Sequence, residues 1–278
     1  MKYPKSIPIL LAILFISNGA FAENRIHAKM IIKAINDGQS IHYENTIIEG
    51  NLNFINLENK KQISGKLFGN DEYLCKVTVP IEFTNCTFTG DVVAYFSDEF
   101  SKDVINVEFR ENVIFNDCTF EEETLFKYST FYKSSDFINN VFEEKALFKY
   151  SKFKYAAEFD NNRFKDNANF KYASFKRSSN FSHSSFKRYA DFKYSNFKDA
   201  VDFSDSIFNH DANFKYTKFP RGVDFENTIF KDDANFKYTK FYEPINLKGT
   251  DFQSDTNIKY AKINGKNFTN YLLKKKMN

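Results

Sequence analysis

The residues whose type and spacing could do chemistry form a single regular pair. Lys-Tyr occurs at Lys127-Tyr128, Lys149-Tyr150, Lys171-Tyr172, Lys193-Tyr194, Lys215-Tyr216, Lys237-Tyr238 and Lys259-Tyr260, always at the same interval. A cation beside a flat ring, repeated at a fixed step, is chemistry for holding an anionic or sugar polymer, with Lys supplying charge and Tyr a stacking surface. The competing reading is architectural: Tyr covers a corner and Lys stems lie along it. Further basic residues share this flank, Lys152, Lys218, Lys240 and Lys262 on one side and Lys154, Lys176 and Lys198 round the next corner. Asp136, Glu158, Asp160, Asp202, Asp205, Asp224 and Glu226 fall on the opposite side.

Other reactive residues are sparse. Cys75, Cys86 and Cys118 are odd in number, which argues against a full disulfide framework. Cys86 and Cys118 fall at equivalent positions, Ile81–Phe88 (IEFTNCTF) paralleling Val113–Phe120 (VIFNDCTF). Stacked strands would hold them about 4.8 Å apart, within the Cα range of a bridge. Side-by-side side chains on parallel strands would strain it, so a bridge and two buried thiols both stay open. His27, His42, His183 and His210 share no ligand spacing, and no metal site is expected from them. No Ser–His–Asp set, phosphate-cradling glycine loop or Gly-x-Ser-x-Gly motif appears, so the expectation is a chain that is not an enzyme and carries no cofactor.

The elements that must position the Lys-Tyr pairs are set by phenylalanine. From Phe115 to Phe241, Phe recurs at gaps that alternate between five and six residues. A fixed internal period means one short unit stacked on copies of itself. A helical reading fails, because two Phe five apart would point about 140° apart at about 100° per residue, and the intervening Asn, Asp, Ser, Thr and Tyr are poor helix formers. Strand alternation fails too, since its period is two. Four short sides, each turning one Phe inward, make a coil of 22, which is also the interval of the Lys-Tyr pairs. Two positions before many of the Phe stands a small residue, such as Ala146, Ala168, Ser184, Ala190, Ser195 and Thr217, fit for a narrow core. Directly before every second Phe there is usually Asp or Asn (Asp136, Asn169, Asn180, Asp191, Asp202, Asn213), able to bond backbone at a corner.

This small–Asx–Phe–x–x unit, in Ala168-Asn169-Phe170-Lys171-Tyr172 and Ala190-Asp191-Phe192-Lys193-Tyr194, resembles the pentapeptide-repeat family, over roughly residues 81–263. The resemblance implies an all-β solenoid: a right-handed quadrilateral parallel β-helix, about 22 residues per coil, with a short N-terminal capping helix. The alternating five/six spacing looks like a Phe-rich variant of that family. Some members mimic duplex DNA and shield gyrase-type enzymes. Here 39 basic against 36 acidic residues lack the acidity for that role, and equally give no strong attraction to nucleic acid.

The ends complete the reading. Residues 1–22 resemble a secretory signal, with Lys2 and Lys5, an apolar Ile7–Ile16 and a small-x-small Ala20-Phe21-Ala22. Export to the periplasm or the extracellular space is expected, with no transmembrane span in the mature chain. Residues 23–57 read as an N-terminal helix and cap: a helix over 24–38 with Ile26, Met30, Ile31 and Ala34 on one face, then Ile47, Leu52 and Leu57 five apart. Residues 58–80 read as an irregular segment, 81–266 as the solenoid with an insertion within 89–103, and 267–278 as a C-terminal cap with a basic tail. The expected function is an exported, non-catalytic structural or binding scaffold, its partner a protein or an anionic polymer.

Overall fold

A computed structural model describes residues 24–64, 71–98, 100 and 103–269. The signal-like segment 1–22 and most of the basic tail lie outside the described residues.

The chain winds as a four-sided parallel β-solenoid of about 22 residues per coil. One coil shows the plan. Ser135–Ile138 forms the first side, Val141–Phe142 the second, Ala146–Leu147 the third and Lys152–Phe153 the fourth. The next coil repeats it, with Ala157–Glu158 pairing in parallel with Ser135–Asp136. The four sides become sheets of nine, ten, nine and twelve strands. Most strands are two residues long: on the first and third sides the small inward residue and its outward neighbour, as in Ala157–Glu158, and on the second and fourth sides an outward residue and the Phe, as in Arg163–Phe164.

The phenylalanines form four files down the axis. Phe126, Phe148, Phe170 and Phe192 stack at 5.4, 5.0 and 5.0 Å between centroids. Neighbouring files meet edge to face, as Phe159 and Phe170 do at 5.2 Å and 86°. Phe170 is fully buried, and each such ring contributes about 1.5–3 kcal/mol, with about 0.5–1.5 kcal/mol more for an aromatic pair. The small residues fit the remaining space: Ala146, Ala168, Ala190, Ala212 and Ala234 are all buried.

A buried polar column stitches the coils where the first side turns into the second. Asn162 donates from Nδ2 to the Phe137 carbonyl at 2.6 Å, and its Oδ1 accepts the Asn140 backbone N–H at 2.8 Å. Ser184, Ser206 and Thr228 take the same place in later coils, donating to the carbonyls of Phe159, Phe181 and Phe203. Corner backbone groups removed from water are thereby satisfied.

The ends depart from the plan drawn from sequence. The helix is Ala28–Asn36, preceded by a strand Asn24–His27. Ala28, Ile31 and Ile35 are its buried residues, whereas Met30 is 55% exposed. The later helix start turns Met30 outward. The segment after it is already a coil: Ile41–Glu44, Thr46–Glu49 and Leu52–Asn53 pair with Ile81–Thr84, Thr87–Phe88 and Val92–Val93. Ile48 rather than Ile47 is buried there. Within 58–80, Lys61–Ser64 and Glu72–Val77 are strands, and Glu72–Val77 pairs in parallel with Val104–Phe109 on the fourth side. The insertion contributes Tyr95–Ser97, antiparallel to Val104–Asn106. At the far end Phe268 folds onto Phe241 at 4.7 Å and closes the fourth file. No described helix is long and apolar enough to cross a membrane.

Candidate functional site

The Lys-Tyr pairs occupy the corner between the third and fourth sides. Each corner is a four-residue turn closed by a backbone bond, Ala173 N–H to the Phe170 carbonyl at 2.9 Å and Ser195 N–H to the Phe192 carbonyl at 3.0 Å. The residue before the Phe sets it. Asn169 Oδ1 accepts the Lys171 N–H at 3.0 Å, and Asp191, Asn213, Asn235 and Asn257 repeat this for the following lysines. Tyr stands at the third position of the turn, which requires a positive φ.

All seven tyrosines satisfy that requirement, with φ from 59° to 63°. A left-handed conformation costs an L-residue with a Cβ about 1–2 kcal/mol, and Asn, Asp or Gly is its usual occupant. The diagonally opposite corner of the same rod has an equivalent left-handed position and obeys that preference: Asn139, Asn161, His183, Asp205, Asn227 and Gly249 stand there, also at positive φ. The Tyr rings stack into one ladder, Tyr128 to Tyr260, with centroid spacings of 4.6–4.8 Å. Stacking returns about 0.5–1.5 kcal/mol per pair, so it roughly cancels the strain and gives Tyr no clear folding advantage over Asn.

The lysines lie along the ladder. Lys149, Lys171, Lys193, Lys215, Lys237 and Lys259 each hold Nζ 5.2–5.6 Å from the centroid of their own Tyr. Lys127 is also bound by Tyr95, its Nζ 3.0 Å from the hydroxyl and 4.3 Å from the ring centroid. Among the described residues none of these lysines has a carboxylate within ion-pair distance, although lysines elsewhere are paired one coil back, Lys145 with Glu123 at 2.8 Å and Lys165 with Glu143 at 2.7 Å. Partial burial and the neighbouring charges of Lys171 and Lys127 push the Lys149 ammonium below its ordinary value. Burial pushes the Asp191 carboxyl up, while the Lys193 N–H and the nearby lysines pull it down.

One member of this site escapes a reading by motif. Tyr95 extends the ladder, its ring 5.5 Å from Tyr128. The step from Phe83 to Phe115, applied backwards from Lys127, lands on Tyr95, so the signal was in the insertion length. Asp191 is a buried carboxylate among the lysines, where the equivalent position elsewhere is often Asn.

The other candidates resolve as follows. Cys75, Cys86 and Cys118 are free and buried. Cys86 and Cys118 head the polar column: the Cys118 Sγ donates to the Phe83 carbonyl at 3.4 Å, as Asn140 does to Phe115 at 2.8 Å. A hydrogen bond with Cys118 lowers the Cys86 thiol to about 7, and the same contact together with burial raises Cys118. The histidine spacing concealed one cluster. His210, Asp211 and Asp232 bring one nitrogen and two carboxylate oxygens within 4.8 Å of one another, because the coil rise superimposes positions one repeat apart. The group sits on open surface; its donor set suits a divalent cation, and nothing else in the structure points to one.

Residues 148–196 and 192–240 match the family model for pentapeptide repeats, of nine copies. Curated proteins and solved structures give no match to this chain. The matched stretch is the most regular part of the rod, where inward Phe, small residue and Asx turn recur without interruption, and over residues 148–240 the chain is similar to pentapeptide repeats.

Proposed function

We propose that this chain is an exported, non-catalytic interaction scaffold whose Lys-Tyr corner docks an extended acidic surface. One observation carries the reading. Seven tyrosines are held in the left-handed region at a corner whose diagonal counterpart fills its own left-handed position with Asn, Asp, His and Gly. Backbone strain retained without a folding gain is a mark of function. The unpaired lysines give the corner its sign. Stacked ammonium groups about 4.8 Å apart repel by roughly 0.9 kcal/mol per pair in water, a cost that an anionic partner removes. Export rests on the signal-like residues 1–22. The core of the regular coils is filled by aromatic rings, so their ionisable side chains lie on the outer faces of the rod.

Retention on an immobilised polyanion such as polyglutamate tests this. Elution is expected to depend steeply on salt and to shift to low salt when Lys149, Lys171 and Lys193 become Gln. Retention that ignores salt, or that survives those changes, overturns the reading.

A further inference from the structure

We propose that the partner of the Lys-Tyr corner is a second copy of this chain, set parallel to the first and presenting its acidic corner. The inference rests on the docking reading above and names the surface that meets it.

The acidic corner is diagonal to the ladder. Asp136, Glu158, Asp202 and Asp224 are the outward residues of first-side strands. Asp160, Asp205 and Glu226 stand on the turn that follows them. Glu226 is bound by Lys248 at 2.6 Å, and His183 lies 3.6 Å from Asp205. Among the described residues Asp136, Glu158, Asp160, Asp202 and Asp224 have no basic nitrogen within ion-pair distance. The segregation is not forced by the repeat, since Lys145–Glu123 and Lys165–Glu143 show columns that alternate sign and pair internally. A chain of 39 basic and 36 acidic residues is thus nearly neutral overall, yet carries one cationic and one anionic edge.

Pitch selects the partner. Both files belong to the same coils and therefore rise by the same step. Two parallel copies keep the lysine file level with the acidic file from coil to coil, with a gap where Asn180 interrupts the carboxylates, whereas a partner of another repeat drifts out of register. The charges also favour closure on each side. Glu158 is pushed up by burial and by Asp160 and Asp136, and Lys149 is pushed down by burial, Lys171 and Lys127. Bringing the edges together relieves both repulsions. Because two different patches meet by translation, the contact is heterologous and open-ended: each added copy leaves one cationic and one anionic edge free.

Sedimentation velocity of the purified protein is expected to show concentration-dependent oligomers at low salt that dissociate to monomers in high salt. Two variants decide the matter. Lys149, Lys171 and Lys193 changed to Gln disables one edge; Asp136→Asn with Glu158→Gln and Asp202→Asn disables the other. Each variant alone is expected to stay monomeric with a melting temperature no lower than that of wild type, and an equal mixture to stop at a one-to-one pair. A wild type that is monomeric at every salt concentration, variants that still self-associate, or a mixture that fails to pair overturns the proposal. A monomeric wild type that still binds polyglutamate in a salt-dependent way leaves the docking reading standing, whereas loss of both removes it as well.

Discussion

Tyr172→Asn weighs the ladder as architecture against the ladder as surface. Tyr172 sits at φ 60° with its ring 4.7 Å from Tyr150 and 4.6 Å from Tyr194, and Lys171 Nζ lies 5.6 Å from its centroid. Asn accepts that φ readily, which recovers about 1 kcal/mol of strain. The change forfeits two stacks at about 0.5–1.5 kcal/mol each and an exposed cation–π contact of about 0.5–1 kcal/mol. The net expectation is a loss of no more than about 2–3 kcal/mol in urea unfolding. Changing Tyr150, Tyr172 and Tyr194 together relieves three strained residues and breaks four stacks, so the loss per residue is expected to be smaller than for the single change. Salt-dependent retention on polyglutamate is expected to weaken in the triple variant. A single-residue loss well above about 3 kcal/mol, or a triple variant that binds as wild type does, would show that Tyr is there to hold the corner, and the functional reading of the strain would fall.

Three further outcomes follow from the core, the polar column and the acidic edge. Phe170→Ala, at a fully buried ring stacked on Phe148 and Phe192, is expected to cost about 3–5 kcal/mol, read by chemical denaturation; a loss under about 1 kcal/mol would contradict close packing of the files. Asn162→Ala strips partners from the Phe137 carbonyl and the Asn140 N–H, at about 1–3 kcal/mol for each buried group left unsatisfied, and Asn162→Ser, matching Ser184 in the next coil, is expected to cost less in the same melts. Glu158 is held above its ordinary 4.5 by burial and the neighbouring Asp160 and Asp136. The folded state therefore binds this proton more tightly than the unfolded state, so stability falls as pH rises from 4.5 through the raised value. Glu158→Gln is expected to lack that fall, to match wild type below it and to be the more stable of the two at neutral pH, by thermal melts across pH; an identical pH profile for both proteins would refute the assignment.

How much was legible varies along the chain with the range of the contacts. Where each coil touches only its neighbours, position follows from counting: the Phe beat places Phe126, Phe148, Phe170 and Phe192 in one file, and the Asx residues at the turns. Glu72–Val77 carries no Phe beat and is missed by the 22-residue count; its pairing with Val104–Phe109 follows instead the longer step that separates Phe83 from Phe115. Met30 was assigned to the wrong face because the true helix start, after a strand, depends on how Asn24–His27 pairs with Thr46–Glu49.

The sequence by itself determined the period, the four files, the likeness to pentapeptide repeats and the opposed signs of two edges, because a one-dimensional stack converts spacing directly into position. Only the tertiary structure decided that every ladder Tyr lies in the left-handed region, that its lysines go unpaired while others are bridged, and that Asn162, Ser184 and Cys118 share one hydrogen-bonded column. Those facts depend on dihedral angles and on ångström-scale distances between coils, which a repeat fixes in common for every unit but does not state.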